Sequence, residues 1–193
     1  MAQIVKNFAN ENGTDFSHAF SHAWYKLTTR DMGPWARCQG SSVPPPQEFQ
    51  KPLPPAPSPP VDFDDLRKSL LPVVTQGREA LFVRLAFSCS QTFRQTDYQG
   101  GCNGARVLSP PESNWPMNAN LNPTLELRNP VKEQFGEDLT WSDLIVLAGT
   151  SSVASVMGIE TLDFCGGRSD ADPDDASQQV SERNTNTNTA SEP

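Results

Sequence analysis

Nine of the seventeen residues from Pro44 to Pro60 are proline. Proline lacks a backbone N–H and has a fixed φ, so this stretch can enter neither a helix interior nor a central strand. It is expected to run extended, as polyproline II with few internal hydrogen bonds. The chain is thereby divided into a short front piece, residues 1–37, and a longer rear piece, with 38–61 as a linker. Lys51, Pro54 and Pro57 also match the basic-x-x-Pro-x-x-Pro pattern of peptides that dock in aromatic-lined grooves. Such matches arise easily in any proline-rich spacer, and the linker reading is preferred.

Composition limits what the two pieces can build. With 18 prolines in 193 residues and 36% hydrophobic residues, the core must be thin. A net charge of -8 argues against a nucleic-acid surface, which relies on clustered Lys and Arg. No apolar run approaches the roughly 18 residues of a membrane-spanning helix. The first thirteen residues, MAQIVKNFANENG, are polar, lack the apolar core of a secretory signal and are expected to be loose. These features suggest a cytoplasmic chain with no membrane partner. Cys38, Cys89, Cys102 and Cys165 show no metal-binding spacing and are read as free thiols in a reducing compartment.

In the front piece, Phe16, Ala19, Phe20, Ala23, Trp24 and Leu27 recur at helical spacing, with Thr14 placed to start the helix and Gly33-Pro34 to end it. So wide an aromatic face is expected to be buried, yet no obvious partner for it lies nearby. His18 and His22 are spaced i, i+4, but Ala19 stands where a zinc-protease motif needs Glu, so a solvated face is the better reading.

The rear piece reads as further helices. One opens at Asp62 or Asp64 and is broken at Pro72. A second, roughly 78–93, is apolar nearly all round (Ala80, Leu81, Phe82, Val83, Leu85, Ala86, Phe87) and is expected to be central. Arg84 within it needs a carboxylate, a carbonyl or a route to the surface. A Gly-rich loop holds Gly100, Gly101 and Gly104 without a phosphate-binding pattern. Asn122 and Pro123 open a helix that Pro130 kinks and Gly136 ends. Thr140-Trp141-Ser142-Asp143 is a variant capping box before an apolar helix that stops at Gly158. Ile159 to Phe164 suggests a short strand. From Ser169 the text turns acidic and then repeats Asn and Thr, and 169–193 is expected to be disordered.

Two stretches carry a resemblance. Residues 84–106 read RLAFSCSQTFRQTDYQGGCNGAR, and residues 16–37 read FSHAFSHAWYKLTTRDMGPWAR. The first resembles the distal-side helix and loop of the catalase-peroxidases, haem enzymes with two tandem peroxidase-like domains. Its frame is kept, but Phe87 stands at the catalytic Trp position and Ser88 at the distal His position. Both changes are typical of the family's second, haemless domain. The second stretch is similar to the last helix of the haem domain. There Arg30 falls on the family's mobile arginine, and Thr29 stands where His is usual. Asn114 to Asn118 is similar to the haem domain's Ser-Trp-Pro-Asp-Asn text. Asn118 matches the asparagine that orients the distal His, and Met117 replaces the aspartate at the channel mouth. Residues 140–149 and 166–168 resemble further family text.

The resemblance implies a mainly α fold, a partial haem-peroxidase-like helical domain with a long irregular linker. In its terms, 1–37 is the end of a haem domain, 38–61 the linker and 62–168 the first half of a haemless domain. The parent family uses haem b to break down hydrogen peroxide. For this chain the resemblance implies no catalytic residue and no haem or metal ligand of its own. Arg30 is the modulatory position in the parent, and Arg84, Phe87, Ser88 and Asn118 are vestigial distal-pocket positions. Arg84 alone cannot run acid–base cleavage of a peroxide, and an unperturbed Ser88 hydroxyl is a poor base. The implied partners are the rest of the peroxidase or a second copy. The alternative is a haem-free helical module that binds a protein partner.

Overall fold

A computed structural model describes residues 2–9, 14–30, 32, 35, 38–50, 54–58, 60–95, 98, 100–121 and 131–172. The chain forms two compact units, one from Met1–Pro52 with Gln95–Tyr98, the other from Leu53–Arg94 with Gln99–Pro193. The described residues hold helices, short 3-10 turns and no strand. This is the mainly α architecture expected from the sequence. The helix expected from Asn122 lies mostly outside the described residues, as does most of the Asn/Thr tail.

In the first unit, α1 spans Ala2–Ala9 and α2 spans Thr14–Thr29. The expectation that the N-terminal residues are loose is thus corrected. Phe8 of α1 meets Phe16 of α2 edge-on, with ring centroids 5.8 Å apart, a contact that favours helix at both positions. The Trp35 indole N–H donates to the Pro44 carbonyl at 2.7 Å, and Tyr25 stands edge-on to Phe49. The aromatic stripe of α2 is not buried as expected: Phe16, Phe20 and Trp24 are each more than half exposed, with Phe20 in ring contact with both Phe16 and Trp24.

The second unit is built on α3 (Phe63–Val74), α4 (Glu79–Ser90) and α5 (Trp141–Met157). The Asp62 carboxylate caps α3 by accepting from the amides of Asp64 and Asp65. This helix is not broken at Pro72 but runs on to Val74. Thr75 then closes it, its amide and hydroxyl both donating to the Leu71 carbonyl. Leu66, Leu70 and Val74 of α3, Phe82 and Leu85 of α4, and Leu144, Ile145 and Leu147 of α5 form the core. Only one side of α4 is buried, contrary to the expected all-round burial. Phe87 is 63% exposed and Phe93 53%.

The α4–α5 contact is set by Gly149. A Cβ there would lie 2.3 Å from the Ala86 Cβ, so the two helices cross closer than two side chains allow. At its N-terminus, α5 has a local cap from the Thr140 hydroxyl to the Asp143 amide. A second cap comes from far along the chain. The Asp170 carboxylate accepts from the Trp141 and Ser142 amides at 2.7 and 2.9 Å and from the Ser142 hydroxyl at 2.8 Å. A carboxylate at the positive end of a helix is doubly favourable there. Gly158, at φ 68°, ends α5 in the left-handed region.

Order therefore continues beyond Arg168. Gly104 pairs with Asp170 in an isolated bridge, the Gly104 amide donating to Ser169 and Ala171 donating back to Gly104. Residues 159–164 form no strand, because that segment gains no ladder partner. Cys89 and Cys102 are joined in a buried disulfide, which corrects the reading of four free thiols. The Gly-rich loop returns over the last turn of α4 and brings the sulfurs together, a closeness that spacing alone does not signal. Cys38 and Cys165 are free and exposed.

The crossing yields a sharp test. Gly149→Ala should lower stability by about 1–3 kcal/mol through overpacking. Moving the methyl across, with Ala86→Gly added, should recover part of that loss. Urea unfolding of the four variants should give a coupling beyond about 0.5 kcal/mol. Strict additivity would contradict the contact.

Candidate functional site

Of the positions singled out in the sequence, Arg84, Phe87 and Ser88 lie on α4 and Asn118 in the turns that follow the Gly-rich loop. Three 3-10 turns, Arg106–Leu108, Glu112–Asn114 and Pro116–Asn118, fold back on one another beside α4. Gly104, at φ 103°, permits the first of them. A Cβ at Gly104 would lie 2.6 Å from Nη1 of Arg106, so the guanidinium can lie back over the loop only above a glycine. Nη1 of Arg106 donates to the Asn103 carbonyl at 2.7 Å.

Arg84 binds backbone. Its Nη2 donates to the carbonyls of Met117 at 2.6 Å and Ala119 at 3.0 Å, the residues on either side of Asn118. The guanidinium is exposed and acts as a clamp between α4 and the turn that holds Asn118. Asn118 is buried, its Nδ2 donating to the Glu112 carbonyl at 2.7 Å. Ser88, one helical turn from Arg84, is buried, and Phe87 points outward. Gln91 reaches Met117 Sδ at 3.4 Å. The structure thus brings Arg84 and Asn118 together through main-chain carbonyls. Arg30 belongs to the other unit, at the end of α2, where its amide donates to the Lys26 carbonyl.

Sequence reasoning assigned no role to the most unusual side chains here. Glu112 is 2% exposed, and its Oε1 has no hydrogen-bond partner among the described residues; the same holds for Oδ1 of Asn118. Burial pushes the Glu112 carboxyl up to about 7, with the Arg106 charge pulling the other way. Burial likewise lowers Arg106 from its ordinary value, against the opposing pull of Glu112. Asp143 was read only as a capping residue. Its buried carboxylate accepts from the amides of Gly167 and Arg168 and from Nη1 of Arg168 at 2.8 Å, fixing the turn that leads to Asp170. The one signal for Glu112 was its place directly after Pro110 and Pro111, which is weak.

The residues around Arg84 do not fit haem or peroxide chemistry. Ser88, Asn118, Gln91 and Met117 offer no imidazole, and Cys89 is held in its disulfide. The chain's two histidines, His18 and His22, lie exposed on α2 with their rings 6.4 Å apart. What this arrangement can do is fix backbone. It binds α4 to a loop through a disulfide at one end and an arginine clamp at the other.

Comparisons with known proteins give the family. A family model described as peroxidase matches residues 65–192, about two thirds of the chain, so the chain belongs to the peroxidase family. Within it, the relatives are catalase-peroxidases. That of Gloeobacter violaceus is 37% identical over 178 residues, covering 85% of this chain and 24% of that protein. That of Caulobacter sp. is 41% identical over 165 residues, covering 78% and 22%. Catalase-peroxidase 2 of Burkholderia cenocepacia is 38% identical over 175 residues, covering 83% and 24%. The chain therefore spans about a quarter of the length of these relatives.

Glu112 makes stability depend on pH. Its folded-state pKa lies above the unfolded value, so its contribution is fully present below about 4.5 and is lost as pH rises through about 7. The loss should be on the order of 3 kcal/mol at most. Glu112→Gln keeps the shape and should flatten that slope in urea melts taken across this range. An unchanged slope would place the proton elsewhere.

Proposed function

We propose that this chain is a supporting portion of a catalase-peroxidase and performs no peroxide chemistry by itself. It would run from the end of the haem domain through the linker into the first half of the haemless domain. In the parent, haem b would carry hydrogen peroxide breakdown, with catalase and peroxidase activity in the oxidative stress response. Arg30 would modulate that activity, and the partner of this chain would be the remainder of the enzyme or a second subunit.

The observation that carries the reading is the state of Arg84. General acid–base cleavage needs a base within hydrogen-bond reach of the proton it takes. Here the guanidinium is engaged by the Met117 and Ala119 carbonyls, and a buried serine stands one turn on. A charged group used this way stabilises a loop. The share of the relatives covered supports a partial chain as well. No helix among the described residues is long and apolar enough to cross a membrane. The Cys89–Cys102 bond weighs against the cytoplasmic placement expected from the sequence, since such bonds persist mainly in oxidising compartments.

The exposed stripe of Phe16, Phe20 and Trp24 favours a second reading, a haem-free module whose α2 face docks on another protein. Both readings predict that this chain does not hold haem. The full chain should be titrated with hemin while the Soret band and oxygen release from hydrogen peroxide are followed. No saturable Soret shift and no oxygen release beyond that of free hemin are expected. A one-to-one complex that turns over peroxide would overturn the proposal.

A further inference from the structure

A cavity of about 220 Å³ lies away from the Arg84 cluster, between α3, α5 and the segment 159–162. Its apolar walls are Leu71, Ala154, Ile159 and Leu162; Arg67 and Glu160 are its charged groups, and Ser151 is one of four hydroxyl residues in the lining. Ser151 is the unusual member. Serine and threonine inside a helix commonly return their hydroxyl to a carbonyl one turn back. Thr150 does so to Val146 and Leu147, and Ser152 to Ala148 at 2.8 Å. Ser151, 3% exposed, does not, and its Oγ has no partner among the described residues. A buried hydroxyl left unpaired costs roughly 1–3 kcal/mol. Ser151 is among the residues that line the cavity, where a bound ligand would supply the missing partner.

Arg67 is the cation in the lining. Its Nη1 pairs with Asp64 at 3.0 Å, and its Nη2 reaches the Leu162 carbonyl at a long 3.4 Å. Asp64 is 81% exposed, and an ion pair with such a partner is weak and open to competition. A planar carboxylate is the natural two-point partner of a guanidinium. Glu160 in the lining and Asp64, the partner of Arg67, oppose a second negative charge, so phosphate and dicarboxylates are disfavoured. The volume equals that of roughly seven waters at about 30 Å³ each, enough for a small ring or a short chain.

We infer that this cavity is a binding site for a small, mainly apolar monocarboxylate, whose carboxylate is taken by Arg67 and Ser151 and whose tail lies on Leu71, Ala154 and Leu162. The site needs neither haem nor peroxide and stands apart from the proposed role in the parent enzyme.

The probe is sodium benzoate, added to the full chain and followed by saturation-transfer and amide-shift NMR. Saturable binding in the millimolar range is expected, with amide shifts at Ser151 and Leu162. Ser151→Ala and Arg67→Gln should each weaken it roughly tenfold. Lys68→Gln, which alters an exposed pair with Asp65, should leave it unchanged and controls for general charge. Phthalate, with two carboxylates, should bind more weakly than benzoate. The inference fails if benzoate does not saturate. It fails equally if both cavity variants, shown by circular dichroism to be folded, bind as the parent does, or if Lys68→Gln weakens binding as much as they do.

Discussion

The second unit depends on one close approach, the crossing of α4 over α5 at Gly149. With a Cβ there only 2.3 Å from that of Ala86, the helices meet backbone to side chain instead of side chain to side chain. Phe82 and Leu85 can then reach Leu144, Ile145 and Leu147 in a core that has few other apolar residues. The crossing also fixes where α4 ends, and so where Cys89 can meet the returning loop at Cys102. Everything after the loop is held relative to that point. The three 3-10 turns hang from it, and Arg84 fastens their far end.

Charge in this unit is used to satisfy main-chain groups. Asp62 caps α3, Asp170 caps α5, Asp143 holds the Gly167 turn, and Arg84 takes two carbonyls. In a chain with 36% hydrophobic residues, such ties replace apolar area that is not available. Glu112 is used differently: it is a buried carboxyl with an oxygen left over, and burial raises its pKa.

The helices were legible because their signals are local: the aromatic spacing of α2, the Asp62 start of α3, the Thr140 cap of α5 and the Gly158 stop. What escaped was either long-range or a matter of packing. Asp170 caps a helix 29 residues upstream, and nothing in its acidic surroundings marks it as other than tail. The disulfide joins residues 13 apart across a loop whose path the spacing does not fix. Phe87 reads as core by type and by its neighbours, yet it lies on the side of α4 that no described element covers. For the site, the family frame singled out Arg84, Ser88 and Asn118. It could not say that Arg84 had turned to backbone carbonyls, nor that Glu112 was buried beside Arg106.

The chain belongs to the peroxidase family and matches about a quarter of the length of its catalase-peroxidase relatives. We propose that this sequence acts as part of a longer enzyme, and an immunoblot of the native product with an antibody raised against residues 80–168 tests it. A single band several-fold heavier than 21.1 kDa is expected. A band at 21.1 kDa itself would contradict it and would leave the independent interaction module as the better description.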